Sequence, residues 1–180
     1  RGYGVRGGIM DQFTIVNAIK DYAILLDCRD NSYLQIPLQL NNHSFYLFNT
    51  NVKHNLLHTD YNNRRAECEK AVEKIAKSYR PISSLRDLDI SDIAQIKNIL
   101  DEKLFRRASF VIKENQRVID AKQALLDDDL TALGKLLSAS HDGLSLDYEV
   151  SCLELDWLVN VASENENILG ARMMGGGFGG

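Results

Sequence analysis

The chain has 180 residues and 44% hydrophobic content, enough for a packed core and room for one full domain or two small parts. Its net charge of -4, with the signs well mixed along the chain, argues against nucleic acid as the main partner, because phosphate binding needs a basic face. The widely spaced Cys28, Cys68 and Cys152 form no CxxC pair and read as reduced thiols, and no apolar run reaches the roughly 20 residues of a membrane span.

Near the start, Gly8-Ile9-Met10-Asp11-Gln12-Phe13 follows Gly7 and sets one carboxylate at the head of a helix-compatible run. Paired glycines let the backbone turn tightly or lie close to a ligand, and a carboxylate in a first helical turn is stabilised by the macrodipole. On residue chemistry alone Asp11 is a helix cap. The helix is expected over 11–19, followed by a strand over 22–28 whose continuous apolar run suits burial on both faces. Turn formers at 29–32 lead to a second strand over 33–38, so a hairpin is expected, with Pro37 near its end or edge. The aromatic stretch 44–50 reads as a further strand, and 51–60 as a polar loop entering a helix.

His54 and His58 could share a helical face, but Asn55-Leu56-Leu57 between them offer no general base and no third ligand is evident nearby, so no metal site is assigned. Residues 61–79 form an amphipathic pattern with Cys68, Val72 and Ile75 on one stripe, stopped by Pro81. One or two short helices are expected in 82–100, with Ser91-Asp92 as N-cap. Over 104–126, Leu104, Val111, Val118 and Leu125 recur every seven residues, as do Phe105, Ile112, Ile119 and Leu126. Asn115 and Lys122 interrupt that seam, which favours a helix packed on its own domain over a coiled coil. Asp127-Asp128-Asp129 precede a leucine-rich run and read as a helix N-terminus rather than a metal site.

A last helix is expected over 150–163, around Trp157, then a short strand over 168–174 that delivers Gly175-Gly176-Gly177-Phe178-Gly179-Gly180. Five glycines in six residues suit a backbone-lined loop against a ligand or a tight reversal, with a flexible tail as the alternative. Glycine-rich stretches at both ends and the lack of an initiator Met suggest an internal piece of a longer chain.

Four blocks in order carry a resemblance: Gly8-Ile9-Met10-Asp11-Gln12; Asn51-Val52-Lys53-His54 with Tyr61-Asn62-Asn63-Arg64-Arg65-Ala66-Glu67-Cys68; Asp147-Tyr148-Glu149-Val150-Ser151-Cys152 with Glu154-Leu155-Asp156; and Arg172-Met173 with the terminal glycines. Together they resemble the galactokinase family, within the wider group of galactose, homoserine, mevalonate and phosphomevalonate kinases. The resemblance implies a cytoplasmic, monomeric enzyme that phosphorylates the anomeric hydroxyl of α-D-galactose with ATP and Mg2+. Galactose and ATP would then be its partners, with no nucleic acid and no membrane.

By the same resemblance Asp11 matches the catalytic aspartate, Gly8 and Tyr61 match sugar-contacting positions, and Gly175, Gly176, Gly177, Gly179 and Gly180 match a loop beside the active site. Lys53 lies near a position that is basic in the family. Asp60 sits in His58-Thr59-Asp60-Tyr61, which copies the end of the family's first motif, but the residues around it belong to the tyrosine block and no sugar role is transferred to it. Gly7, Leu153 and Met174 depart from the usual cysteine, proline and threonine. The first motif and the Gly-Leu-Ser-Ser-Ser phosphate loop are not in this chain, so it is expected to be inactive alone. The implied fold is α+β: residues 1–40 end an N-terminal α/β kinase domain, and 41–180 form most of a helix-rich, ferredoxin-like C-terminal domain. Alternatives are a galactokinase-like sugar sensor acting on transcription, or a kinase of N-acetylgalactosamine or arabinose.

Overall fold

The computed structural model describes residues 8–52 and 57–179, with side chains throughout except at 57–59. Helix α1 (Met10–Asn17) leads into β1 (Tyr22–Leu26) and β2 (Tyr33–Pro37), an antiparallel hairpin with Tyr22 opposite Pro37 and Leu26 opposite Tyr33. Asn31 takes the left-handed conformation at φ 61° in the reversal, where the Asp27 carboxylate accepts from the Arg29 N–H at 3.0 Å. Pro37 closes β2, where its missing N–H costs no ladder bond. The continuous apolar run of β1 does not lie between two layers: its residues are at most half-buried, and Ile36 is the hairpin residue that reaches the core. Arg86 pairs with Asp27 at 2.6 Å and Arg29 pairs with Asp87, which ties the hairpin to the helical body.

The strand expected over 44–50 does not form. Backbone N–H and C=O groups need partners, and among the described residues the only sheet is the two-stranded hairpin. Phe45, Tyr46, Leu47 and Phe48 stand 58–81% exposed. Aromatic residues favour strands because they fit a pleated, half-buried surface, and no such surface is presented to them here.

The body consists of α2 (Leu57–Ser78), α3 (Ile93–Lys97), α4 (Glu102–Leu126), α5 (Leu130–Asp142) and α6 (Leu153–Ser163). Two 3-10 turns, Leu85–Asp87 and Ile90–Asp92, precede α3. Asp89 rather than Ser91 or Asp92 supplies the side-chain cap in that region, accepting from the Ser91 N–H at 2.8 Å. Asp101 caps α4 through the Leu104 N–H at 2.9 Å, and Asp129 caps α5 through the Ala132 N–H at 2.8 Å, so the aspartate triplet does mark a helix start.

The main core gathers Ala71 and Ile75 of α2, Leu85, Leu88 and Leu100 of the connecting turns, Ile96 of α3, and Leu104, Ala108 and Ile112 of α4. The seven-residue pattern of α4 splits accordingly. Its first half is buried in the body, while Val118, Ile119 and Leu126 are exposed. The class is α+β, helix-rich with one small sheet. Among the described residues the sheet layer of a ferredoxin-like domain is not formed.

Candidate functional site: a glycine-rich turn beside Tyr61

The stretch expected as a strand over 168–174 is instead an extended run along α5. Gly170 and Gly134 meet backbone to backbone: a Cβ at Gly170 would stand 1.9 Å from the Gly134 carbonyl oxygen. Further along, the Ala171 N–H donates to Ser138 Oγ at 3.3 Å and the Met173 N–H to His141 Nδ1 at 3.2 Å. Gly134, Ser138 and His141 are four and three residues apart, hence on one face of α5. Helix side chains accept the N–H groups that a strand would give to a neighbouring strand, and the sheet is not needed.

Met173 is then buried with Val150 and Leu155, packed by Leu144, Tyr148, Cys152 and Phe178. Beyond it the chain turns through left-handed positions, with φ 77° at Gly175, 84° at Gly177, 62° at Phe178 and 125° at Gly179. Gly177 is needed for space as well as φ, since a Cβ there would lie 2.4 Å from the Val150 carbonyl oxygen. That oxygen accepts the Phe178 N–H at 2.6 Å, and the Thr50 hydroxyl donates to the Gly179 carbonyl. The turn is therefore held at 173, 178 and 179, while Gly175 and Gly176 face outward. A Cβ at Gly176 would stand 3.9 Å from Cδ2 of Tyr61, and one at Gly175 would meet nothing within 4 Å.

Tyr61 is placed by the first turns of α2, which are locked to residues 147–150. Arg64 donates to the Glu149 carbonyl at 3.1 Å and lies 5.9 Å from the Tyr148 ring centroid. Tyr148 stacks on Phe110 at 4.8 Å, and its hydroxyl is 3.5 Å from Cys68 Sγ. Burial, reinforced by the Cys68 thiol, pushes the Tyr148 phenol far above its ordinary value, and burial likewise raises the Cys68 thiol. Under them Arg107, 0% exposed, bonds the Glu67 carboxylate at 3.1 Å, the Glu149 carboxylate and the Asp147 carbonyl. Burial works against the Glu67 carboxylate, yet Lys103, Arg107 and Arg64 outweigh it and hold the group below the ordinary glutamate range.

Asp11 stands in the first turn of α1, exposed, and takes part in no hydrogen bond or ion pair among the described residues. Its carboxylate therefore makes no cap bond, although residue type alone would have made it a cap. Helix α1 rests on the hairpin through Phe13 against Tyr33 at 5.2 Å and through Gln35, which donates to the Asn17 carbonyl at 2.8 Å. Around Gly8 the space is open. Tyr61 and Gly176 are thus brought together, whereas no hydrogen bond or ion pair among the described residues joins Asp11 to them, and a Cβ at Gly8 would meet nothing within 4 Å. Lys53, His54 and Gly180 lie outside the described residues, as does the side chain of His58. Among the described residues no three His, Cys, Asp or Glu side chains converge to hold a metal ion.

His141 escaped the sequence reading, and Asp156 entered it only as a letter of the third block, with no role. His141 is 3% exposed, and its Nε2 lies 3.1 Å from Asp156 Oδ1, while Asp156 also accepts from Ser145 at 3.0 Å and Ser151 at 2.6 Å. The available signal was the small and polar stripe 134, 138, 141 on an otherwise leucine-rich helix.

Residues 121–180 match the family described as GHMP kinases C terminal. Over 177 residues it is 45% identical to the galactokinase of Thermotoga maritima, covering 98% of this chain and 48% of that protein. Identity to the galactokinase of Enterococcus faecalis is also 45%, over 178 residues, covering 98% of this chain and 46% of the relative. The crystal structure of Lactococcus lactis galactokinase complexed with galactose superposes with a TM-score of 0.93 at 39% identity, covering 98% of this chain and 46% of that one. The chain spans about half the length of the curated relatives it matches.

Proposed function

We propose that this chain is part of a galactokinase, which transfers the γ-phosphoryl group of MgATP to the anomeric hydroxyl of α-D-galactose. The observation that carries the reading is 45% identity to galactokinases along 98% of the chain. In this reading Asp11 meets the sugar hydroxyl, orients it and accepts its proton as the bond to phosphorus forms. A carboxylate with no partner among the described residues, at a helix start, suits that task.

By the resemblance Gly8 and Tyr61 would contact the sugar, Lys53 falls near a position that is basic in the family, and Gly175, Gly176, Gly177, Gly179 and Gly180 would form a loop beside the active site. Open backbone at Gly175, where an added Cβ would touch nothing, suits close approach of a phosphorylated ligand. Metal binding rests on the family resemblance alone. Residues 1–40 would close the N-terminal kinase domain and 41–180 would supply most of the C-terminal one, in a cytoplasmic monomer.

Galactose-dependent release of ADP from the intact protein tests the reading directly. Turnover with galactose well above that with N-acetylgalactosamine or arabinose supports it. Tight galactose binding without turnover would point to a sugar sensor instead.

A further inference from the structure

We propose that His141 is a positioning residue that sets the glycine-rich turn through the Met173 amide, with Asp156 fixing which ring nitrogen carries the proton. The turn's entry is determined at Met173, the last buried residue before the left-handed Gly175. Its N–H has a single acceptor, His141 Nδ1 at 3.2 Å, so Nδ1 must present a lone pair. The ring proton therefore sits on Nε2 and is donated to Asp156 Oδ1 at 3.1 Å. Asp156 is itself held by hydroxyl donors from Ser145 and Ser151, on the turn after α5 and the residues before α6. A network of four bonds thus links two serines, a carboxylate, an imidazole and one backbone amide.

An apolar side chain of similar size could fill the space but would leave the buried Met173 N–H without an acceptor. Ser138, one turn earlier on α5, accepts the Ala171 N–H instead. Directing the wall beside Tyr61 is a role that depends on the kinase reading for its effect on turnover, but not for its structural part.

Two substitutions separate positioning from packing. His141→Asn sets an amide oxygen where Nδ1 stands and keeps an acceptor for Met173. His141→Gln sets its amide where Nε2 stands, keeping the bond to Asp156 and losing that acceptor. Amide hydrogen exchange of Met173 and Phe178 in the intact protein is expected to speed up about tenfold or more in H141Q and to stay near wild type in H141N. Turnover with galactose is expected to fall about tenfold in H141Q and to recover in H141N. Long-range nitrogen-proton NMR of the wild-type ring is expected to show the neutral Nε2–H tautomer.

A proton on Nδ1 in the wild type overturns the proposal without any variant. So does equal loss of protection in both variants spread over α5 and α6, the signature of packing alone. A wild-type protein that does not phosphorylate galactose would sink the kinase reading and leave the tautomer and exchange results to decide this one.

Discussion

Asp11 and Arg107 show opposite ways in which a charged residue can matter. Asp11 is exposed and has no partner among the described residues, so Asp11→Asn is expected to leave thermal stability within about 0.5 kcal/mol of wild type. In the proposed reaction the same change removes the proton acceptor, and turnover with galactose in the intact protein is expected to fall by about 10²–10⁴-fold. Unchanged turnover would remove Asp11 from the mechanism. Arg107 is the reverse case, buried with Glu67 and Glu149 on either side of it. Arg107→Met is expected to cost about 3–5 kcal/mol in denaturant unfolding, since Glu67 and Glu149 lose the buried cation they share and the Asp147 carbonyl loses its donor. Glu67 keeps Lys103 and Arg64, which places the loss toward the lower end.

Asp11 and Tyr61 stood out in the sequence because they sit in motifs whose letters can be matched. Arg107 and His141 did not, because a polar side chain in a helical pattern reads as solvent-facing until its tertiary partners, forty and fifteen residues away, are known.

At the scale of elements, the local signals that succeeded were those decided by the chain's nearest neighbours. The cap at Asp129, the stop at Pro81 and the hairpin turn at 29–32 depend on hydrogen bonds within a few residues, and each was readable. The strands expected at 44–50 and 168–174 required a distant partner that periodicity cannot reveal. For 168–174 the acceptors turned out to be Ser138 and His141 on a helix, a partnership with no period-2 signature.

The short turn Leu85–Asp87 offers a test at the same scale. Asp87 accepts the backbone N–H groups of Ser83 at 2.7 Å and Ser84 at 3.0 Å, and with the Ser83 hydroxyl these lower its carboxyl from 3.8 to about 2. A folded-state value below the unfolded one means that the bonded form contributes stability above about pH 4, lost as the pH falls toward 2. Thermal midpoints are expected to drop through that window, and Asp87→Asn is expected to lower the midpoint at neutral pH and flatten part of the drop. Asp27 and Asp101 are shifted the same way and keep the remainder of the slope. An unaltered slope in the variant would show that the turn does not couple to folding.

For the whole molecule, the apolar surface left uncovered is the informative quantity. Phe45 to Phe48, Ile15, Val16, Leu153 and Trp157 are all more than half exposed, and the second half of the α4 stripe is open as well. Exposed aliphatic and aromatic side chains scattered singly are ordinary, but a run of four consecutive ones is a surface that seeks cover. The run also leads into Thr50, whose hydroxyl holds Gly179, so whatever covers 45–48 would steady the end of the glycine-rich turn, as His141 steadies its entry. Within these 180 residues nothing described covers it.

The chain on its own is therefore expected to self-associate at tens of micromolar concentration, with sedimentation velocity showing species above the monomer. Phe45→Ser combined with Leu47→Ser is expected to shift the distribution toward monomer without moving the thermal midpoint, because neither side chain contributes to the buried core. A monodisperse monomer in the unaltered chain would mean that this run finds its cover within the same polypeptide.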